Sequence, residues 1–425
     1  MSTRGTWRRR ILIILIVGLL LVLVARAGLD LWAGHRVSVA VSRLEKRFGS
    51  LDAETLTVPP VPEGKNRARA IRAASALINY APRASWSEYQ HLFTVFMKER
   101  PPAPVPAELR AFVEINRPTL RVAADARSRP ESNWEADYLS RGNVPRLLEI
   151  RTLSNTIYLA ALLDLEARRP DDAAQSIASG LVVAASLRQE PWLITQLIRM
   201  AVAVQHLEAV QRLLVTSEPS KMSLQDLAKW LAENRSPDPT YVGLLAELKL
   251  FNYAFTRAES NGEQPLLLGV HPPFLGGRTA WLTRPLARLT RAHYLEQMEE
   301  LLDLQMGPRP RPASAKAPSW SSPLKRLVNV TKPGLERTIE TGDQFKSGLA
   351  LTELAVALRR FRLEHGQYPD VLSALVPTYV PSVPIDAMTG NELVYSRVGA
   401  GFRLSAEKKN VYGSTAAVLD WNVPK

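Results

Sequence analysis

A chain of 425 residues that is 46% hydrophobic and 22% charged carries enough apolar side chain to bury ordinary cores, which excludes a disordered protein and leaves room for roughly two to three domains. It has no cysteine, so disulfides, thiolate metal sites and a cysteine nucleophile are excluded together. Its 54 Lys and Arg against 41 Asp and Glu give a net charge of +13, but the surplus is local. Arg4, Arg8, Arg9 and Arg10 precede an apolar run, and Arg309, Arg311, Lys316, Lys325, Arg326 and Lys332 share a stretch without acids; setting these ten aside leaves 44 against 41. A nearly neutral remainder argues against a nucleic-acid partner, and Arg67, Arg69 and Arg72 form the one local basic cluster to be placed.

From Ile11 to Ala25 the sequence ILIILIVGLLLVLVA has no charged residue, enough for about 22 Å of helix at 1.5 Å per residue. Continuing through Arg26 to Leu29 supplies the length of a bilayer span, because an arginine near a helix end can snorkel to the headgroups. Trp7 and Trp32 flank the span as interfacial aromatics. Arg8 to Arg10 place the N-terminus in the cytoplasm by the positive-inside rule. The expected partner of Ile11 to Leu29 is therefore the lipid bilayer of a bacterial cytoplasmic (inner) membrane, crossed once, with the bulk of the chain extracytoplasmic or periplasmic. Two other readings stay open: a cleaved signal peptide with Ala25-Arg26-Ala27 as its A-x-A-like site, and a buried core helix.

Beyond the anchor the periodicity is helical. Val37, Val41, Leu44 and Phe48 predict a juxtamembrane helix over 36–58, ended by Pro59, Pro60 and Pro62. Ala68 to Tyr80 reads as a helix, and Pro101, Pro102, Pro104 and Pro106 as a stiff connection. Between Pro145 and Leu214, apolar residues recur at steps of three and four, with breaks at Pro170 and Pro191, which predicts three packed helices. Leu159 to Leu181, with Ala160, Ala173 and Ala174 as small contacts and 169–172 as the turn, resembles one tetratricopeptide-type hairpin. A single copy cannot bury a repeat core, so the body is expected to be an irregular helical bundle or array. Ser223 with Asp226 predicts a capping-box start, and further helices are expected over Thr240 to Ala258 and Arg278 to Met306.

Gly307 to Pro333 is rich in proline and serine and lacks acids, which reads as an extended linker. After it, Phe345, Leu349, Leu354, Leu358 and Phe361 share one face of a helix stopped at Gly366. A helical turn (371–376), strands over 392–398 and 402–406 joined by Gly399-Ala400-Gly401, and a last strand over 416–421 complete a small α+β unit. The expected layout is thus mainly α: residues 1–34 as cytoplasmic stub and anchor, 36–306 as the helical domain, 307–333 as linker and 334–425 as the C-terminal unit.

The order Gly366-x-Tyr368-Pro369, Leu372 and Leu375, Tyr379-Val380, Val383-Pro384-x-Asp386, Gly390-Asn391, Tyr395, Gly401-Phe402 and terminal Asp420-Trp421 resembles the globular end of the major pseudopilin of type II secretion, over roughly 80 residues. Such a tail behind a membrane helix and a helical body is also similar to that of bacterial membrane-anchored helical proteins. The leader departs from the family, since Gly5 is followed by Thr6, Trp7 and three arginines where a prepilin has its cleavage glycine, phenylalanine and glutamate. The resemblance implies a calcium loop, but the matching stretch reads Glu407-Lys408-Lys409-Asn410 and leaves only Glu407 and Asp420 as oxygen donors for an ion that takes six to eight.

Catalytic signatures are sparse. The histidines at 35, 91, 206, 271, 293 and 365 form no His-Glu-x-x-His pair, and the lone Glu88-x-x-His91 lacks the second copy that a di-metal bundle needs. His293 with Glu296, Glu299 and Glu300 reads as a solvated helix face. Ser322-x-x-Lys325 and Ser405-x-x-Lys408 lack the companion motifs of penicillin-binding enzymes, and no phosphate loop or dinucleotide fingerprint occurs. Trp86, Trp134, Trp192, Trp230 and Trp281 are expected to pack in cores, with a groove lining as the alternative. No catalytic residue, cofactor or resident metal is expected. Two functions follow from different classes: a non-catalytic interaction or scaffold protein with an envelope protein as partner, and an exported hydrolase acting on envelope polymer or peptide. A secretion-system assembly factor follows only by analogy. The anchor has a direct check: full-length protein should remain in the membrane pellet after a carbonate wash, and deletion of residues 1–29 should release it.

Overall fold

The computed structural model describes residues 3–80, 85–98, 104–137, 146–261, 280–307, 332–406 and 420–423. The fold is mainly helical, with one small antiparallel sheet. Residues cluster into two compact units that are not consecutive in sequence. One comprises Met1–Leu56, Leu244–Leu304 and Ser314–Glu336; the other comprises Thr57–Gly243, Gln305–Ala313 and Arg337–Lys425. This differs from the expected succession of a 36–306 domain and a 334–425 unit.

The first unit is built on α1 (Thr3–Phe48), α10 (Pro239–Asn261, from Leu244) and α11 (Ala280–Met306, to Leu304). The apolar segment within α1 is long and hydrophobic enough to cross a membrane, and none of it is covered by protein. The same helix then continues without a break into the bundle. There Ala33, Val37, Ala40 and Leu44 are buried along one face, as are Phe255 and Ala258 of α10 and Ala292, Leu295 and Met298 of α11 in the same unit. Phe251 stacks on Tyr294 at 4.4 Å between centroids. The expected juxtamembrane helix is thus the second half of α1, and it ends at Phe48 instead of at the prolines. Gly49, at φ +79°, stops it in the left-handed conformation that glycine adopts without a Cβ penalty.

Ion pairs set the directions of these helices. Asp30 meets Arg288 at 3.1 Å, Arg36 meets Glu296, Arg43 meets Glu299 at 2.9 Å, and Arg47 meets both Glu299 and Asp303. Residue numbers rise together in both helices, so α1 and α11 run parallel. On α10, Lys249 donates to Thr55 near the end of this segment while Glu259 takes Arg288 and Arg291, so α10 runs the opposite way. The acidic face of α11, expected to be solvated, is therefore matched to a basic face of α1.

The second unit holds α2 (Arg67–Ala76), α3 (Trp86–Lys98), α4 (Ala107–Ile115), α5 (Arg117–Asp125), α6 (Leu147–Glu166), α7 (Pro170–Ser186), α8 (Leu193–Thr216) and α9 (Lys221–Arg235), together with most of α12 (Lys332–His365). Pro170 occupies the first turn of α7, where its missing N–H costs nothing. Helix α7 packs against α6, α8 and α9 and is buried along nearly its whole length from Ala173 onward. The start of α9 differs from expectation: Ser220, not Ser223, is the cap and accepts from the Ser223 N–H, while Asp226 is used for Arg127 and for the Trp230 indole N–H. Helix α3, which no periodicity announced, buries Tyr89, Phe93 and Phe96, and Tyr89 stacks on Phe112 at 4.0 Å.

Helix α12 ends at His365 before Gly366, at φ +77°, as the spacing predicts. It includes Lys332 and Pro333, which the linker reading placed outside regular structure; the rest of that linker, 308–331, lies outside the described residues. Strands β1 (Val394–Val398), β2 (Gly401–Ser405) and β3 (Asp420–Val423) pair in that order, antiparallel throughout. Only the end of the expected last strand, 420–421, is described; 416–419 is not. Phe402, Leu404, Trp421 and Val423 face inward, with Tyr368 edge-on to Phe402 at 5.0 Å. Asp386 is fully buried and holds its loop by accepting from Ser347, the Met388 N–H and Thr389.

Candidate binding groove

The residues that could meet a partner gather in the second unit, where α5 lies beside α6 and α7. A groove of about 520 Å³ is floored by Leu120, Ala124, Ile157 and Ala160 and edged by Arg117, Arg121, Arg127 and Arg169. Arg117 and Arg121 are one helical turn apart on α5, so they project from one face. Arg127 follows on the short turn after α5, and Arg169 immediately precedes α7.

The guanidiniums are held, but unequally. Arg117 makes a bidentate pair with Glu114, both bonds 2.7 Å, which raises its own pKa and lowers that of Glu114. Arg127 pairs with Asp226. Arg169 takes Asp164 and, at 3.1 Å, Asp172, and its bond to Asp164 raises its pKa. Among the described residues Arg121 has no ionic partner, and it is exposed. The two carboxylates of the groove are thus engaged by Arg169, and Ser176 donates to Asp164 at 3.4 Å. An alkyl floor beneath guanidinium donors suits a ligand with an apolar body and an anionic group.

A second arrangement has the outline of a nucleophile and base: Ser154 Oγ lies 3.2 Å from His206 Nε2. Both side chains are fully buried, His206 Nδ1 has no partner among the described residues, and Tyr158 covers the imidazole edge-on at 6.2 Å. Without access or an orienting acid, this pair is core packing. Gly180 of α7 makes room for it, since a Cβ there would fall 2.1 Å from the ring.

Of the basic cluster near α2 only Arg67 is buried; Arg69 is half-buried and Arg72 is exposed. Arg67 is 2% exposed, pairs with Glu233, donates to the Arg129 and Pro130 carbonyls, and lies 5.2 Å from the Trp230 ring centre. Arg69 pairs with Glu63 and Glu135, and Arg72 donates to the Trp134 carbonyl. Each of the three guanidiniums has partners within the fold.

The other sequence candidates are dispersed. Glu88 caps its own helix by accepting the Ser85 N–H, which lowers its pKa, and His91 is exposed beside it. His293 bonds Glu296, and His365 stacks on Phe361. Trp134 and Trp230 are core residues, whereas Trp86 and Trp281 are 41% and 58% exposed. Among the described residues no group of three His, Cys, Asp or Glu could hold a metal ion. Of the calcium candidates, Glu407 lies outside the described residues and Asp420 is placed by its backbone alone, opposite Ser405 on β2. The linker motif at 322–325, His271 and Lys408 also lie outside them. The groove arginines were not singled out from sequence, although Arg117 and Arg121 at a spacing of four were a usable signal. No family model, no curated protein and no solved structure matches the chain.

Two outcomes follow from the buried histidine. Gly180→Ala should destabilise the protein by about 1–3 kcal/mol through overpacking, and much of that loss should be absent when His206→Ala is already present, which urea titration of the double-mutant cycle measures. Burial pushes the imidazole pKa down to about 3, so the unfolded chain binds the proton more tightly than the folded one. Stability from this site is complete above the ordinary value near pH 6.5 and falls by about 1.4 kcal/mol per pH unit from there towards pH 3. Urea midpoints of wild type and His206→Gln across that range should show the slope in the former and lose this component in the latter.

Proposed function

We propose that the protein is a single-pass, membrane-anchored interaction protein of the bacterial envelope, its extracytoplasmic helical body binding a partner through the α5–α7 groove. The observation that carries this reading is the groove itself, where an alkyl floor lies under four guanidiniums and both carboxylates are already bound to Arg169. An anionic segment of an envelope protein suits it, with Arg121 supplying donors that no acid among the described residues takes. In this reading α6 and α7 act as one tetratricopeptide-like helical pair, and the pseudopilin-like tail over 366–421 is a second docking element. The exported-hydrolase alternative lacks a comparable feature, because hydrolysis needs a carboxylate or imidazole open to substrate and the Ser154–His206 pair is closed off.

A photo-crosslinking amino acid at Leu120, in the full chain in cells, tests the proposal. It should capture a specific envelope protein, and Arg121→Glu should reduce capture about tenfold, the equivalent of one charge-assisted hydrogen bond at roughly 1.4 kcal/mol. Lys46→Glu, exposed on α1 and outside both the groove and the tail, should leave capture unchanged. Equal capture by the Arg121 and Lys46 variants would remove the groove from the function.

A further inference from the structure

We infer that the N-terminal end of α11 is a second membrane contact, seated in the lipid headgroup layer beside the point where α1 leaves the bilayer. The inference rests on reading residues 11–29 as the span. Those residues make a helix about 28 Å long, close to the roughly 30 Å of a hydrocarbon core, so the outer edge of the apolar layer falls near Leu29. Arg26 lies three residues earlier, which is about 4.5 Å deeper along the axis.

An arginine at that depth is expected to reach outward to lipid phosphates. Here its Nη2 donates instead to the backbone carbonyl of Trp281, and its guanidinium lies 5.3 Å from the centre of that indole ring. The contact fixes Trp281, in the first turn of α11, at the level of Arg26 and therefore at or just inside the headgroups. The parallel run of α1 and α11, with Asp30 on Arg288 above it, places the rest of α11 farther from the membrane.

The exposure pattern agrees with a lipid occupant. Trp281 is 58% exposed although it is the bundle's lowest described aromatic on α11, and Trp32 is 52% exposed on α1. Leu286, one turn farther on, also keeps an exposed side. Indoles with an apolar body and one N–H donor concentrate at this boundary, where ring and N–H meet different solvents. Exposed Arg284, between the two, has a guanidinium available for anionic phosphate. A bilayer is the occupant because the surface is continuous with the span itself. In this arrangement Arg26 tethers the bundle to the interface and does not simply escape from the membrane.

The absence of cysteine makes the test direct. Nitroxides are attached to single cysteines at Ile16, Trp281, Leu286 and Met222 of the full chain in nanodiscs of phosphatidylethanolamine and phosphatidylglycerol. Collision with oxygen is compared with collision with a nickel chelate. Ile16 should behave as membrane interior and Met222, 77% exposed in the second unit, as water. Labels at 281 and 286 should fall between, with an oxygen-to-nickel ratio several-fold above that at Met222. Ile16 in lipid with 281 and 286 matching Met222 overturns the inference and leaves the anchor standing. Shielding of 281 and 286 from both reagents overturns it in favour of a protein partner or second copy. Ile16 behaving as water removes the anchor and the inference together.

Discussion

The first unit is organised by one helix whose two segments have different surroundings. Residues 11–25 of α1 are apolar on every side and have no protein cover, whereas its second half buries Ala33, Val37, Ala40 and Leu44. Continuity between them makes the bundle an extension of the apolar segment. The charges along the second half then choose the partner's direction. Asp30 is followed by Arg36, Arg43 and Arg47, and α11 answers with Arg288 followed by Glu296, Glu299 and Asp303. Reversing α11 would set Asp30 near acids and Arg47 near Arg288. Exposed pairs of this kind contribute little energy each, about 0–1 kcal/mol, so burial of the alanine and leucine face supplies stability while the charge order supplies direction.

The net charge of +13 is a poor guide to what this protein touches. Arg36, Arg43, Arg47, Arg67 and Arg69 are spent on internal acids, and Arg199 lies fully buried, donating to the Pro237 and Asn234 carbonyls. Burial lowers the Arg199 pKa to about 10. What distinguishes a surface arginine such as Arg121 is that, among the described residues, no acid forms an ion pair with it. That difference, more than the number of arginines, marks the α5–α7 groove as a place where a foreign anion can bind.

Legibility varied with the range of the interaction. The helices over 147–166, 170–186 and 193–216 follow from local periodicity and proline breaks, since each needs only its own residues to declare one apolar face. Gly366 and Gly399 mark a helix end and a hairpin turn because positive φ is a local demand. The capping residue of α9 was misplaced by three positions, as Ser220 and Ser223 are equally suitable chemically and Asp171, distant in sequence, decides between them by accepting from Ser220 N–H and Ser223 Oγ. Likewise the acids at 296 and 299 read as solvated because the basic stripe that meets them is more than 250 residues away.

The sequence by itself determined that the chain is mainly helical and has an N-terminal helix apolar and long enough for a membrane, because hydrophobic period and run length are properties of adjacent residues. Only the tertiary structure decided which arginines are consumed, that Ser154 and His206 are enclosed, and that four guanidiniums edge one groove. Those outcomes depend on which helix faces which, and helix pairing is settled by packing between distant segments that no local pattern encodes.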